Sequence, residues 1–230
     1  MRSAGALGIV CLVAVPALAL EIPAEFDVTS GSMQLTFSPA GAANPATISS
    51  NVAGTFGLTV VSSDDHIGDS DMVVVDDVNL SNTQTMTTVL IGVSSFAVQP
   101  GSVRFLDFDT SAPGHLAGGV ANPVGSPYLE ATILPMGSIV TTFTTAAWRP
   151  SSLTTVTLTP PSSVVASETL TATLAFDYKW EIGITSLEAT LTLDIVVSVE
   201  GTTHVPEPAL GGLAVLGLGG ACTWLRQRRR

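Results

Sequence analysis

A run of acidic residues between positions 64 and 71 has the composition of a cation-binding loop. Its sequence is Asp64-Asp65-His66-Ile67-Gly68-Asp69-Ser70-Asp71. Carboxylate oxygens are ligands that Ca²⁺ prefers, so the candidate ligands are Asp64, Asp65, Asp69 and Asp71. The order differs from that of an EF-hand loop, and Asp, Gly and Ser are also typical of turns. The segment is therefore either a Ca²⁺ site or a solvated acidic turn between two strands.

A second acidic pair is formed by Asp107 and Asp109, which are two residues apart. On a strand such residues share one face, where they could converge on a cation together with Asp76 and Asp77. They could equally form the polar side of an edge strand, where charge discourages edge-to-edge aggregation. This structural role explains the same pattern without a ligand.

Four aromatic residues are of the kind found on sugar-binding faces, where a planar ring stacks against the C–H groups of a pyranose. They are Tyr128, Trp148, Tyr178 and Trp180. Tyr178 and Trp180 fall on the apolar side of an alternating segment, which favours core packing for both. Trp148 precedes Arg149-Pro150 at a strand end and is the better candidate for an exposed ring.

Catalytic motifs are weak in this sequence. The histidines are His66, His115 and His204, and neither a G-x-S-x-G nucleophile elbow nor a paired zinc-ligand motif occurs. Ser-His-Asp geometry cannot be read from sequence order, so a secreted hydrolase stays as the third hypothesis. The prediction is that the protein is not an enzyme.

The C-terminal segment consists of three parts in a fixed order. Val205, Pro206, Glu207 and Pro208 precede 17 uncharged residues, Ala209–Leu225, and a tail that contains Arg226, Arg228, Arg229 and Arg230. A helix of that length is about 25 Å long, a little less than the ~30 Å hydrocarbon core, and the arginines favour the cytoplasmic side. We predict a transmembrane helix at residues 209–225 with a membrane stop at 226–230, rather than a buried core helix.

This order of residues resembles the PEP-CTERM sorting signal of exported proteins of Gram-negative bacteria, over residues 205–230. The resemblance implies that Pro206, Glu207 and Pro208 are recognised by an exosortase, a membrane-embedded cysteine transpeptidase-like enzyme that cleaves near this motif. It also implies an association with exopolysaccharide production. Both prolines favour an extended backbone, which suits an accessible motif just outside the bilayer. A permanent anchor with a proline spacer is the alternative.

The first 19 residues have the features of a secretory signal peptide. Arg2 is followed by an apolar run from Ala4 to Val15, and Ala17-Leu18-Ala19 matches an A-x-A cleavage site. Cleavage after Ala19 would leave Leu20 as the mature N-terminus. Cys11 lies within the apolar run and lacks the small residues that precede a lipobox cysteine, so a lipoprotein is not expected.

The body between Leu20 and His204 is strongly acidic. It contains 18 acidic residues against three basic residues, which gives a formal charge of −15. Nucleic acid is therefore not expected as a partner. The two cysteines of the chain, Cys11 and Cys222, lie outside the body, so it has no disulfide and no thiolate chemistry.

The body has the alternation of an antiparallel β protein. Apolar residues occupy even positions in 169–180 and odd positions in 187–199, which predicts two long strands paired through a turn near residues 182–185. Further strands are predicted at Met33–Phe37, Thr55–Val61, Met72–Leu80, Thr87–Val98, Val103–Asp107, Tyr128–Leu134, Ile139–Thr144 and Leu153–Thr159. The sequence from 20 to 204 shows no apolar stripe of helical period.

These patterns predict one all-β domain over residues 20–200, followed by a linker at 201–204. The expected architecture is a single antiparallel β-sandwich, for which a jelly roll is one arrangement. The expected function is that of a non-catalytic exported protein of the bacterial surface or extracellular matrix. Its partners would be the inner membrane, an exosortase-like enzyme and exopolysaccharide. The alternative function is a Ca²⁺-assisted carbohydrate-binding module.

Overall fold

The computed structural model describes residues 20–40, 44–63, 67–90, 94–136, 142–159, 169–184 and 189–204. These residues form thirteen β-strands. The strands are β1 (Leu20–Pro39), β2 (Ala46–Ser62), β3 (Met72–Asn82), β4 (Met86–Leu90), β5 (Ser94–Val98), β6 (Val103–Ala112), β7 (Gly114–His115), β8 (Val120–Ala121), β9 (Val124–Met136), β10 (Phe143–Trp148), β11 (Thr155–Thr159), β12 (Thr169–Ile184) and β13 (Ala189–His204). The predicted all-β class is confirmed.

The strands join in one open antiparallel sheet, in the order β4-β5-β9-β6-β3-β2-β1-β13-β12-β11-β8, with β10 beside β9 and β7 beside β3. Rings from strands that are far apart in this order are in contact. Phe37 of β1 stacks on Phe96 of β5 with centroids 5.5 Å apart, and Phe105 of β6 meets Phe176 of β12 edge-on at 5.0 Å. The sheet therefore folds over, and its two halves enclose a common core in a sandwich-like arrangement.

The predicted pair of long strands is confirmed. β12 pairs with β13 over 16 residue pairs, and the apolar residues at even positions from Leu170 to Ile182 and at odd positions from Leu191 to Val199 are buried. The predicted linker at 201–204 is wrong, because β13 continues as far as His204. Gly201 is one reason: a Cβ there would lie 2.8 Å from the carbonyl oxygen of Asp27 in β1. Glycine thus allows β13 to continue closely beside β1.

Register shifts in β1 and β3 keep the apolar side chains in the core. Buried positions in β1 are even-numbered as far as Phe26 and odd-numbered from Met33, and the register with β13 shifts between them. In β3 they are odd-numbered as far as Val75 and even-numbered from Val78, with a shift against β2. One extra residue in a strand reverses which face the following residues occupy. Each bulge therefore corrects a change of phase in the sequence.

Asn82, at the end of β3, joins two turns from inside the core. Its side chain is 1% exposed. Its Nδ2 donates to the carbonyl oxygens of Gln99 (2.8 Å) and Gln84 (3.1 Å), and its Oδ1 accepts from the N–H of Val103 (3.0 Å). Every hydrogen-bonding atom of the amide therefore has a partner, as a buried polar group requires.

Other strand predictions hold with different bounds. β1 begins at Leu20 rather than Met33, and the predicted strand 87–98 is divided into the hairpin of β4 and β5. β10 begins at Phe143, and residues 139–141 of the predicted strand 139–144 lie outside the described residues.

Candidate functional site

The predicted Ca²⁺ loop is held against the segment that follows β7. Asp69 Oδ1 accepts a hydrogen bond from the N–H of Gly118 (2.8 Å), and Asp71 Oδ2 accepts one from the N–H of Gly68 (2.8 Å). Ser70 has a φ of 82° and its N–H donates to the carbonyl oxygen of Leu116. These contacts give both carboxylates a structural role in the turn. Asp64 and Asp65 lie outside the described residues, and Ca²⁺ binding by the four aspartates stays a prediction.

A shallow acidic depression of about 350 Å³ lies over Gly57 on the outer face of β1, β2 and β3. Glu25 and Asp77 are the neighbours paired with Gly57 on its two sides. The bulge in β3 places Asp76 on the same exposed face, where its Oδ2 accepts a hydrogen bond from the Thr59 hydroxyl. The depression attracts cations electrostatically. Within the described ranges, however, no group of three or more His, Cys, Asp or Glu side chains is arranged to hold a metal ion.

The second predicted acidic pair lies on the exposed side of β6. Asp107 and Asp109 are both exposed. Asp107 Oδ1 accepts a hydrogen bond from the N–H of the following residue, Phe108 (2.8 Å). This local contact fixes the carboxylate beside the bulge of β6. The strand lies between β9 and β3 in the sheet, so the predicted edge-strand role of this pair is wrong.

The aromatic residues separate as the alternation predicts. Tyr178 is 1% exposed and Trp180 is 7% exposed, whereas Trp148 at the end of β10 is 44% exposed. Trp148 lies directly opposite Tyr128 of β9, with ring centroids 5.2 Å apart and planes inclined by 54°. The Tyr178 hydroxyl donates to the carbonyl oxygen of Ala147 (3.1 Å). Burial raises the pKa of Tyr178, and the nearby Arg149 guanidinium partly opposes this rise.

Asp177 of β12 clamps the loop between β10 and β11. Its Oδ1 accepts hydrogen bonds from the Ser151 hydroxyl (2.7 Å) and from the N–H groups of Ser152 (2.7 Å) and Leu153 (2.8 Å), and its Oδ2 accepts one from the Ser152 hydroxyl. Burial raises the pKa of Asp177, but these hydrogen bonds outweigh burial and hold the pKa below its usual value. The carboxylate is therefore kept ionised as a structural anchor.

Asp177→Asn is expected to lower the free energy of unfolding by about 1–2 kcal/mol at pH 7, because an amide offers only one accepting atom to these donors. The pKa is lower in the folded state, so the ionised carboxylate stabilises the fold above the unfolded-state pKa of about 4. This contribution is lost as the pH falls through the folded-state pKa. Urea denaturation of both proteins from pH 7 to pH 3 should therefore give curves that converge in acid.

The exposed Asp109 of β6 provides the matched control for this prediction. Asp109→Asn should change the free energy of unfolding by less than about 0.5 kcal/mol, as is usual for a surface substitution. If Asp177→Asn has the stability of Asp109→Asn at every pH, Asp177 does not anchor the loop.

The histidines lie apart in the described residues. His115 is in β7, and His204 ends β13 with its Nδ1 3.5 Å from the Thr169 hydroxyl oxygen. His66 lies outside the described residues. A secreted hydrolase stays an untested alternative.

No family model, curated protein or solved structure matches this chain. Its function is therefore inferred from the residues and their geometry.

The predicted targeting segments lie outside the described residues. These are the signal peptide with Ala17 and Ala19, the sorting motif Val205–Pro208, the helix 209–225 and the arginines from Arg226 to Arg230. Among the described residues there is no helix that is long and apolar enough to cross a membrane.

Two arrangements were not predicted from the sequence. The first is the clamp made by Asp177, whose partners are 24 to 26 residues away along the chain. The second is the cross-strand pair of Tyr128 and Trp148. The Arg149-Pro150-Ser151-Ser152 segment does indicate a loop, but the aspartate that it meets has no local signature.

Proposed function

We propose that this protein is a non-catalytic exported component of the bacterial surface or extracellular matrix. A signal peptide directs its export and is removed after Ala19. A C-terminal helix then holds it in the inner membrane until an exosortase-like enzyme processes the sorting motif. The exported body is a two-layered β-sandwich, and its partners include exopolysaccharide.

The extent of the folded body is the observation that carries this proposal. Among the described residues, strand pairing extends from Leu20, which pairs with Ser62, to His204, which pairs with Thr169. The described strands thus lie within the interval between the predicted cleavage site and Val205, the first residue of the sorting motif. Removal of both predicted signals would leave every described strand intact.

The roles of the acidic side chains support a structural rather than a catalytic protein. Asp69, Asp71, Asp107 and Asp177 each accept a hydrogen bond from a backbone N–H. Carboxylates used in this way fix turns and loops. The body has a formal charge of −15, which keeps a protein soluble among extracellular polymers. It has no cysteine, so an oxidising environment outside the cell cannot form disulfides in it.

Replacement of the sorting motif tests the proposal. Cells that naturally produce the protein would express the wild type or the triple variant Pro206→Ala, Glu207→Ala and Pro208→Ala. We expect most wild-type chains at the surface or in the medium without the arginine tail. Most chains of the variant should stay in the inner membrane with the tail intact, because the processing enzyme no longer recognises them. Fractionation followed by mass spectrometry measures both outcomes.

Gln227→Ala is the matched control, since it changes the tail but neither the motif nor an arginine. It should behave as the wild type does. Release and trimming of the triple variant at the wild-type level would contradict processing at this motif.

A further inference from the structure

The outer face of β6, β9 and β10 carries a row of three side chains that the sequence separates by up to 41 positions. Asp107 of β6 pairs with Tyr128 of β9, and Tyr128 pairs with Trp148 of β10. Directly paired residues of antiparallel strands point to the same face, and neighbouring strands lie about 4.8 Å apart. The row is therefore about 10 Å long and consists of a carboxylate followed by two aromatic rings.

The geometry of the two rings leaves an indole face available for a ligand. Tyr128 is half-buried and packs against Trp148 at an angle of 54°, so it supports the indole from one side. Trp148 is 44% exposed, whereas Trp180 in the core is 7% exposed. Trp148 thus contributes little to the core and presents a rigid apolar surface to solvent.

The charges around the row indicate which polymer it would accept. The next row of the same face carries Arg104 of β6 directly opposite Glu130 of β9 in the strand register. Asp109 lies farther along β6. Carboxylates outnumber cations here, as they do over the whole body, and they repel an anionic polymer. Carboxylates also accept hydrogen bonds from neutral hydroxyl groups. The negative face of an aromatic ring attracts C–H groups, which carry partial positive charge.

We propose that this face binds a neutral polysaccharide. The rings of Trp148 and Tyr128 stack against the C–H faces of the sugars, and Asp107 accepts hydrogen bonds from sugar hydroxyl groups. The site deepens the proposed function, because it would attach the exported protein to neutral polysaccharide of the matrix. It uses none of the four aspartates of the predicted Ca²⁺ loop, Asp64, Asp65, Asp69 and Asp71, so binding should persist in the presence of EDTA.

Affinity electrophoresis and tryptophan fluorescence test the site with the exported protein purified from its source cells. The probes are four neutral polysaccharides, dextran, galactomannan, xyloglucan and hydroxyethylcellulose, and one anionic polysaccharide, alginate. We expect at least one neutral probe to retard the protein and to change its fluorescence. Trp148→Ala should weaken that binding about tenfold, the loss typical of one good aromatic contact. Trp148→Phe should retain more affinity, because it keeps a ring.

Val196→Ala provides the control, since Val196 is an exposed apolar residue on β13, away from the row. Its affinity should equal that of the wild type. The site is refuted if none of the neutral probes binds, if alginate alone binds, or if Trp148→Ala binds as well as Val196→Ala. Processing of the sorting motif is measured independently by intact mass, so failure of the sugar site and failure of the export proposal are separate results.

Discussion

Replacing Gly54 with alanine is expected to lower the free energy of unfolding by about 4 kcal/mol or more, or to prevent folding. Gly54 of β2 has a φ of 137°, a backbone conformation that residues other than glycine rarely adopt. An added Cβ would lie 1.8 Å from the carbonyl oxygen of Asn79 in β3. This oxygen belongs to the backbone of a paired strand, so it cannot move aside without disturbing the pairing of β2 with β3. Urea denaturation measures the loss.

Gly183→Ala is the control for replacing a glycine within a strand by alanine without a steric clash. Gly183 also lies in a strand, β12, but an added Cβ there would have nothing within 4 Å. Alanine at this position should leave the free energy of unfolding unchanged or raise it by up to about 1 kcal/mol, through a smaller loss of backbone entropy on folding. Equal stability of the two variants would show that β2 does not approach β3 as described.

Replacing Asn82 with aspartate should lower the free energy of unfolding by about 3–4 kcal/mol at pH 7, which corresponds to a decrease in Tm of about 10 °C. The second carboxyl oxygen would face the carbonyl oxygens of Gln84 and Gln99, which now accept hydrogen bonds from Nδ2. It would also place a carboxylate where the side chain is 1% exposed, and burial of an unpaired charge is costly. The variant should recover part of its stability in acid, where the carboxyl group is protonated.

Asn79→Asp tests whether the effect depends on burial, because Asn79 lies on the same strand but is exposed. It should change the free energy of unfolding by less than about 0.5 kcal/mol. A similar small change for Asn82→Asp would mean that Asn82 does not join the turns after β3 and β5.

Alternation made the long strands β12 and β13 predictable. β12 and β13 alternate over most of their length, so their pairing and their buried faces could be inferred. The first half of β1 was missed although Ile22, Ala24 and Phe26 alternate with outward-facing residues. Pro23 argues against a strand, and the bulge reverses the phase before Met33. A strand that contains a bulge looks like two short patterns of opposite phase. The phase change is visible in the sequence. The sequence does not show which partner strand shifts its register at that point.

Residues 201–204 were misassigned for a related reason. Gly-Thr-Thr-His next to a proline motif resembles a linker, and only the position of Asp27 on the neighbouring strand explains the need for Gly201. The length of β13 therefore depends on a contact that is distant in sequence.

The candidate site was predictable in part. The exposure of Trp148 follows from its place at a strand end, and the burial of Tyr178 and Trp180 follows from alternation. The alignment of Asp107, Tyr128 and Trp148 depends on the register of three strands. Register results from the packing of the whole sheet, and no local pattern specifies it.

The intact mass of the native protein, isolated from the cells that produce it, tests the central proposal most directly. We predict a chain that begins at Leu20 and ends near the Pro206-Glu207-Pro208 motif, recovered from the surface or the medium. A chain that extends from Met1 to Arg230 and stays in the cytosol would contradict export and processing at both ends.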